Sequence, residues 1–176
     1  DIVKFAVADG VPVVAFRTSD AAQVAGVNSP VQLAELERVY QKRVALQLME
    51  QGVRLADPAR LDVRGVLTCA QDVSIDVNCV FEGQVSLGDG VQVGANCVIK
   101  NASIAAGAVI HPFSHIEGGQ AGSKDAVEVG AGSLIGPFAR LRPGARLGAE
   151  VHIGNFVEVK NSTLAKGAKA NHLAYL

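Results

Sequence analysis

Aliphatic side chains recur every sixth residue through the second half of this chain. They fall at Ile75, Leu87, Val93 and Ile99, with Phe81 filling the remaining place. A five-residue step leads to Ile104, and six-residue steps resume through Ile110 and Ile116. Gly118 to Glu128 interrupts the pattern, which restarts at Val129 and runs through Ile135, Leu141, Leu147, Ile153 and Val159. A second five-residue step reaches Leu164, followed by Ala170 and Leu176. Four residues after these anchors stand mainly small or β-branched side chains, including Cys79, Val91, Cys97, Ala108, Ser114, Ser133, Ala139, Val157, Thr163 and Ala174. The residue directly after an anchor is often glycine or acidic, as at Asp76, Glu82, Gly88, Gly94, Gly130, Gly136, Gly148 and Gly154. Glycine there suits sharp corners with unusual backbone angles.

An amphipathic helix requires apolar recurrence near 3.6, which this segment lacks. Short strands that turn a corner every six residues produce it, and a repeat of this kind predicts a solenoid. Three strands close one triangular coil of about eighteen residues, and coils stack at about the 4.8 Å strand spacing. Residues eighteen apart then lie side by side. Ile135-Gly136-Pro137-Phe138-Ala139-Arg140 and Ile153-Gly154-Asn155-Phe156-Val157-Glu158 obey that rule, so Phe138 is expected to stack against Phe156. Cys79 and Cys97 obey it too, and are read as packed thiols without chemistry.

Residues before the repeat carry a different pattern. Asp1 to Ala8 predicts a helix end and Pro12 to Phe16 a strand, together the last elements of an α/β domain over residues 1–28. Ser29 is a helix N-cap with Pro30 at the first position. Leu33, Leu36, Val39, Tyr40 and Leu48 form an apolar stripe, and Gly52 is placed to end the helix. Residues 29–56 are therefore read as a linker helix standing outside the repeat, and 57–176 as the repeat domain.

Composition narrows the partners. Of 176 residues, 49% are hydrophobic and the formal net charge is −1. No basic stripe invites nucleic acid, and no apolar run approaches the ~18 residues of a membrane span. Three cysteines without close pairing fit a reducing, cytoplasmic compartment. A chain opening on Asp1 rather than Met is read as an internal piece of a longer protein.

Arg142 and Lys160 follow anchors and are eighteen apart. Two adjacent cations repel unless an anion lies between them, and a phosphate group fits. The bland alternative is two solvated charges. Glu158 and Arg140 are also eighteen apart. They form a surface pair worth little, or Glu158 orients a histidine. His172 lies near the Lys160 coil, while His111, His115 and His152 are scattered and lack metal-ligand spacing. Gly118 to Ser123 is read as a loop extruded from a coil.

Three motifs carry a resemblance. Gly136-Pro137-Phe138-Ala139-Arg140-Leu141-Arg142-Pro143-Gly144, Gly154-Asn155-Phe156-Val157-Glu158-Val159-Lys160 and Lys169-Ala170-Asn171-His172-Leu173-Ala174-Tyr175-Leu176 are similar to signatures of the bacterial bifunctional GlmU family. Gly26-Val27-Asn28 with Leu36-Glu37-Arg38-Val39-Tyr40 resembles its linker. The resemblance implies a mainly β fold, a left-handed parallel β-helix assembled as a homotrimer. It implies acetyl transfer from acetyl-CoA to glucosamine-1-phosphate, in an enzyme that also joins UTP to N-acetylglucosamine-1-phosphate with Mg2+ for peptidoglycan and lipopolysaccharide synthesis. It implies that His172 is the general base and that Arg142, Lys160 and Tyr175 bind the sugar phosphate. The uridylyl site, the Mg2+ ligands and most acetyl-CoA contacts are expected outside this chain. The rival readings are another hexapeptide acyltransferase and a silent β-helix scaffold for oligomerisation.

Overall fold

A computed structural model describes residues 1–120 and 123–176. The described chain divides into two compact units, residues 1–39 and 40–176.

In the first unit, α1 spans Ile2–Ala8, and the Asp1 carboxylate accepts from the Val3 amide as its N-cap. The strand expected over Pro12 to Phe16 does not form, and the segment lies outside regular structure. A strand needs a neighbour for its backbone groups, and this segment pairs with none of the described residues. Val14 and Phe16 accordingly stand 87% and 93% exposed.

The second helix, α2, spans Pro30–Glu50. Ser29 Oγ accepts from the Gln32 amide, and Gln32 Oε1 accepts from the Asn28 amide, a reciprocal cap. Gly52 ends it at φ 95°. The Val53 amide reaches back to the Leu48 carbonyl and the Gly52 amide to Met49, while Val53 and Leu48 are both buried. That is a Schellman stop with its hydrophobic contact.

The predicted stripe needs correction. Leu33, Val39 and Tyr40 are exposed, and the buried residues of α2 are Gln41, Ala45 and Leu48. Nor does this end of the helix stand clear of the repeat. Gln41 Nε2 donates to the Val63 carbonyl at 2.9 Å, and its Oε1 accepts the Val63 amide at 2.8 Å. The side-chain amide thus supplies the first coil with the hydrogen bonds that a further strand would, and blunts an open sheet edge.

The repeat is a parallel β-solenoid of six coils and the start of a seventh. One face is a seven-stranded sheet: Arg54–Leu55, Ser74–Ile75, Gln92–Val93, Val109–Ile110, Leu134–Ile135, His152–Asn155 and Lys169–His172. The other two faces form a nine-stranded sheet, in which Leu61–Cys69, Cys79–Leu87 and Val98–Ile104 run continuously around a corner. Registers of Ser74 with Gln92 and Leu134 with His152 confirm the eighteen-residue coil.

Anchors from Ile75 through Val159 all point inward, as do Cys79, Val91, Cys97, Ala108, Ser114, Ser133, Ala139 and Val157. Thr163 does not: it is exposed. The five-residue step shortens that strand, so the place two residues before the anchor Leu164 passes to Ser162. Leu176 is 40% exposed.

Corner geometry also differs from expectation. Gly136 has the unusual angle expected, at φ 91°, but Gly88, Gly94, Gly130, Gly148 and Gly154 have ordinary φ. They are glycine because a Cβ would run into the next coil, Gly88 against the Ala106 amide and Gly148 against the Lys166 amide. Apart from Gly136, left-handed backbone falls mainly three residues after the anchors, as at Asn78, Asn96, Phe113, Phe138, Glu150, Phe156 and Leu173. Phe138 stacks on Phe156 at 5.5 Å, and Phe113 joins the ladder at 5.1 Å from Phe138.

The described residues on either side of the interruption after Ile116 are tied together. Gly119 donates to the Asp125 carbonyl, and the Gly144 amide of the next coil also donates to Asp125. Ala121 and Gly122 lie outside the described residues. Among the described residues, no helix is long and apolar enough to cross a membrane.

Candidate functional site

Outward residues of the nine-stranded sheet fall into columns, one residue per coil. One column begins Arg64, Glu82, Lys100, Glu117 by strand register. Ile116 pairs with Leu141, so the column continues from Glu117 to Arg142. The Arg142 amide then donates to the Val159 carbonyl, which brings Lys160 next. Charge along this column therefore alternates for five coils. Arg64 pairs with Glu82 at 3.0 Å and Lys100 with Glu117 at 3.7 Å. Alternation fails once, at Arg142 and Lys160, where two cations follow each other about one strand spacing apart.

The neighbouring column holds His115, Arg140, Glu158 and Tyr175, paired in that order. Glu158 reaches from it toward the cations. Arg142 Nη1 donates to Glu158 Oε1 at 2.6 Å, and Arg140 Nη1 lies 3.6 Å from Oε2. Arg142 and Glu158 are each 29% exposed at the side chain, so the contact is only partly screened by water. The sequence reading offered Arg140 or a histidine as the partner of Glu158. The structure adds Arg142 and gives it the shortest distance.

Tyr175 stands beside Glu158 and is 67% exposed. His172 lies just before it, at the end of the seven-stranded face, paired with Asn155. Left-handed Leu173, at φ 50°, turns the chain around the corner between the two. The structure thus brings Arg142, Lys160, Glu158 and Tyr175 onto one face and sets His172 at its edge. Among the described residues the side chains of Lys160, His172 and Tyr175 make no hydrogen bond or ion pair. Arg140 and Arg142 both meet the carboxylate of Glu158, and Lys160 shares their face without an ion pair, which leaves two positive charges over that carboxylate. A phosphate monoester, with a second pKa near 6, carries a matching charge at neutral pH.

Arg140 was legible from its eighteen-residue spacing to Glu158, but the alternating column was not, because its steps from Lys100 to Glu117 and from Glu117 to Arg142 depart from eighteen. Two grooves open elsewhere. One of about 740 Å³ is lined by residues such as Arg54, Ser74, Gln92 and His111. Another of about 260 Å³ lies by Gln84, Asn101 and Ser103. Neither includes the cations, whose face is open. Among the described residues, no group of three or more His, Cys, Asp or Glu is placed to hold a metal.

The cysteines take no part. Burial pushes the Cys79 thiol up to about 11 and the Cys97 thiol to about 12. They donate weakly to the carbonyls of Gly94 and His111.

Residues 126–161 match the bacterial transferase hexapeptide (six repeats) family. The whole chain is similar to bifunctional GlmU proteins. It is 85% identical to that of Albidiferax ferrireducens and spans 38% of that protein's length. It is 81% identical to that of Polaromonas sp. strain JS666, over 36% of its length. Among solved structures it resembles the acetyltransferase domain of PglB from Neisseria gonorrhoeae, with a TM-score of 0.58 and 20% identity. That alignment covers 73% of this chain and 62% of the other, a likeness of fold.

Proposed function

We propose that this chain, by sequence the counterpart of 36–38% of a bifunctional GlmU protein, carries the sugar-phosphate half of an acetyltransferase site. The observation that carries the reading is the single break in the charge column, Arg142 beside Lys160, within motifs similar to signatures of that family. Three cations against the single Glu158 carboxylate leave a net positive face that selects an anion, and the arginine fork suits phosphate oxygens. Tyr175 adds a hydroxyl to the same face.

The substrate is glucosamine-1-phosphate and the donor acetyl-CoA. The phosphate on Arg142 and Lys160 fixes the sugar, so its amine is presented to the thioester, a positioning effect. His172 at the edge of the face is the general base. An ammonium group has no free electron pair. His172 takes one proton, which frees the nitrogen pair to bond to the acetyl carbon; the carbon–sulfur bond breaks, and the second nitrogen proton goes to the leaving sulfur, so CoA departs as its thiol. An imidazole with pKa near 6.5 suits that work at neutral pH. The Glu158 carboxylate rests on arginines, so it is assigned to the phosphate side of the site rather than to His172.

The resemblance extends this to a left-handed helix in a homotrimer, in the cytoplasm, with acetyl-CoA bound mostly by residues outside this chain. Its second activity uses UTP and Mg2+ to make UDP-N-acetylglucosamine, and no residue of this chain is assigned to it.

The test is His172→Ala in a full-length GlmU-type protein carrying this segment. Acetyl transfer is expected to fall about 10²–10⁴-fold, the worth of a positioned base. Glucosamine-1-phosphate binding should change far less. Part of the loss should return at high pH, where more of the amine is already neutral. Near-normal acetyl transfer would remove His172 from the mechanism.

A further inference from the structure

We infer that Glu158 is the resident counter-anion of the phosphate-binding face, and that Arg140 is the partner it moves to when a phosphate ester takes Arg142. This deepens the sugar-phosphate reading above and rests on it.

The geometry is specific. By register Glu158 stands directly across from Arg140. Its short contact is nevertheless diagonal, with Arg142 at 2.6 Å, while Arg140 waits 3.6 Å from the other carboxylate oxygen. Arg140 and Arg142 project outward from the same chain run, on either side of buried Leu141. A side-chain rotation of Glu158 exchanges one arginine for the other without moving backbone. All three side chains are part-exposed, which leaves room for the rotation.

Charge supplies the direction. Without an anion, Arg142 and Lys160 are adjacent like charges, and Glu158 relieves their repulsion. A bound phosphate dianion provides that relief itself and repels the carboxylate. Glu158 must then leave Arg142 or remain facing the dianion. Arg140 gives it a cation two residues along the same strand. Binding is therefore an exchange of anions at Arg142, and Arg140 sets how readily the exchange occurs.

Three consequences separate this from a surface salt bridge. Glu158→Gln should tighten binding of glucosamine-1-phosphate roughly three- to tenfold, because a competing anion is gone. Arg140→Gln should weaken it by a similar factor, and Arg140→Lys should restore it, since one positive charge suffices. In the Glu158→Gln background, Arg140→Gln should change binding by about twofold or less, because the residual long-range charge effect is screened.

The experiment is equilibrium titration of glucosamine-1-phosphate, without acetyl-CoA, into the full-length protein and its variants, with thermal melts to confirm folding. Weaker or unchanged binding by Glu158→Gln would overturn the inference. Equal weakening by Arg140→Gln in both backgrounds would also overturn it, and would make Arg140 a direct phosphate ligand. Arg142→Met in the same series tests the underlying reading separately. If Arg142→Met leaves binding intact, the phosphate assignment itself falls. If it weakens binding while Glu158→Gln fails to tighten it, only the exchange falls.

Discussion

Gly154→Ala is a sharp probe of how the coils hold the site. Gly154 has an ordinary φ, where alanine by itself is favoured by about 0.4–1 kcal/mol through the unfolded chain. Space reverses the sign. A Cβ at Gly154 would overlap the Asn171 carbonyl oxygen and stand 2.6 Å from its carbonyl carbon. Carbon atoms in contact sit about 3.5–4.0 Å apart, so the strand Lys169–His172 must retreat by about 1 Å. The Leu173 amide donates to the Asn155 carbonyl at 3.2 Å, and the His152 amide to Ala168 at 2.9 Å. Retreat takes both past hydrogen-bonding range. Two or three bonds at about 1 kcal/mol each put the local cost at about 2–3 kcal/mol. His172 rides on that strand, and a 1 Å misplacement of a reacting group costs about 10²-fold. The variant should therefore show faster amide exchange at Ala170, Asn171 and Leu173, unchanged protection at Ile99 and Ile135, and acetyl transfer reduced about a hundredfold. Gly90→Ala is the control. It has open space at φ +65, costs about 1 kcal/mol in backbone strain, and should leave transfer intact. Unchanged exchange at Asn171 in Gly154→Ala would refute the claim that these corner glycines exist to admit the neighbouring coil.

Gln41→Leu should destabilise the solenoid by about 2–4 kcal/mol in chemical denaturation, since it orphans both the amide and the carbonyl of Val63; a cost below 1 kcal/mol would mean water replaces the glutamine. Cys79 and Cys97 should resist a thiol reagent at pH 8 and react once the chain unfolds. Because burial raises both thiols from an ordinary value of 9.0 to about 11 and 12, their contribution to stability is whole below pH 9. It is lost as pH rises toward 12, and alkaline melts of a Cys97→Ala variant should show less of that decline. Arg142→Ala should raise the glucosamine-1-phosphate requirement about tenfold or more while uridylyl transfer by the full-length protein stays level; an equal fall in both activities would contradict the separation of the two sites.

Much of this molecule is written at the level of periodicity. A six-residue recurrence of aliphatic side chains has one economical solution, strands that turn a corner every six residues. Eighteen-residue spacing then dictates which side chains become neighbours. Phe138 against Phe156 and Arg142 beside Lys160 follow from arithmetic because stacking has a single register. The cap at Ser29 and the stop at Gly52 are equally local, each satisfied within a few residues.

Other features depend on what lies across the stack. Pro12 to Phe16 has strand-like residues but pairs with no strand among the described residues. Leu33 and Tyr40 read as core and stay exposed, whereas polar Gln41 is buried because only its amide can complete the ladder at Val63. Thr163 and Ser162 exchange places through a one-residue shortening, which changes the side that faces inward. The glycine corners are governed by the adjacent coil's backbone, not by their own torsion angles. Glu158 reaches diagonally to Arg142 instead of straight across to Arg140. Spacing could name both arginines, but the choice between them belongs to side-chain reach and to the field of two neighbouring cations, which exist only once the coils are stacked.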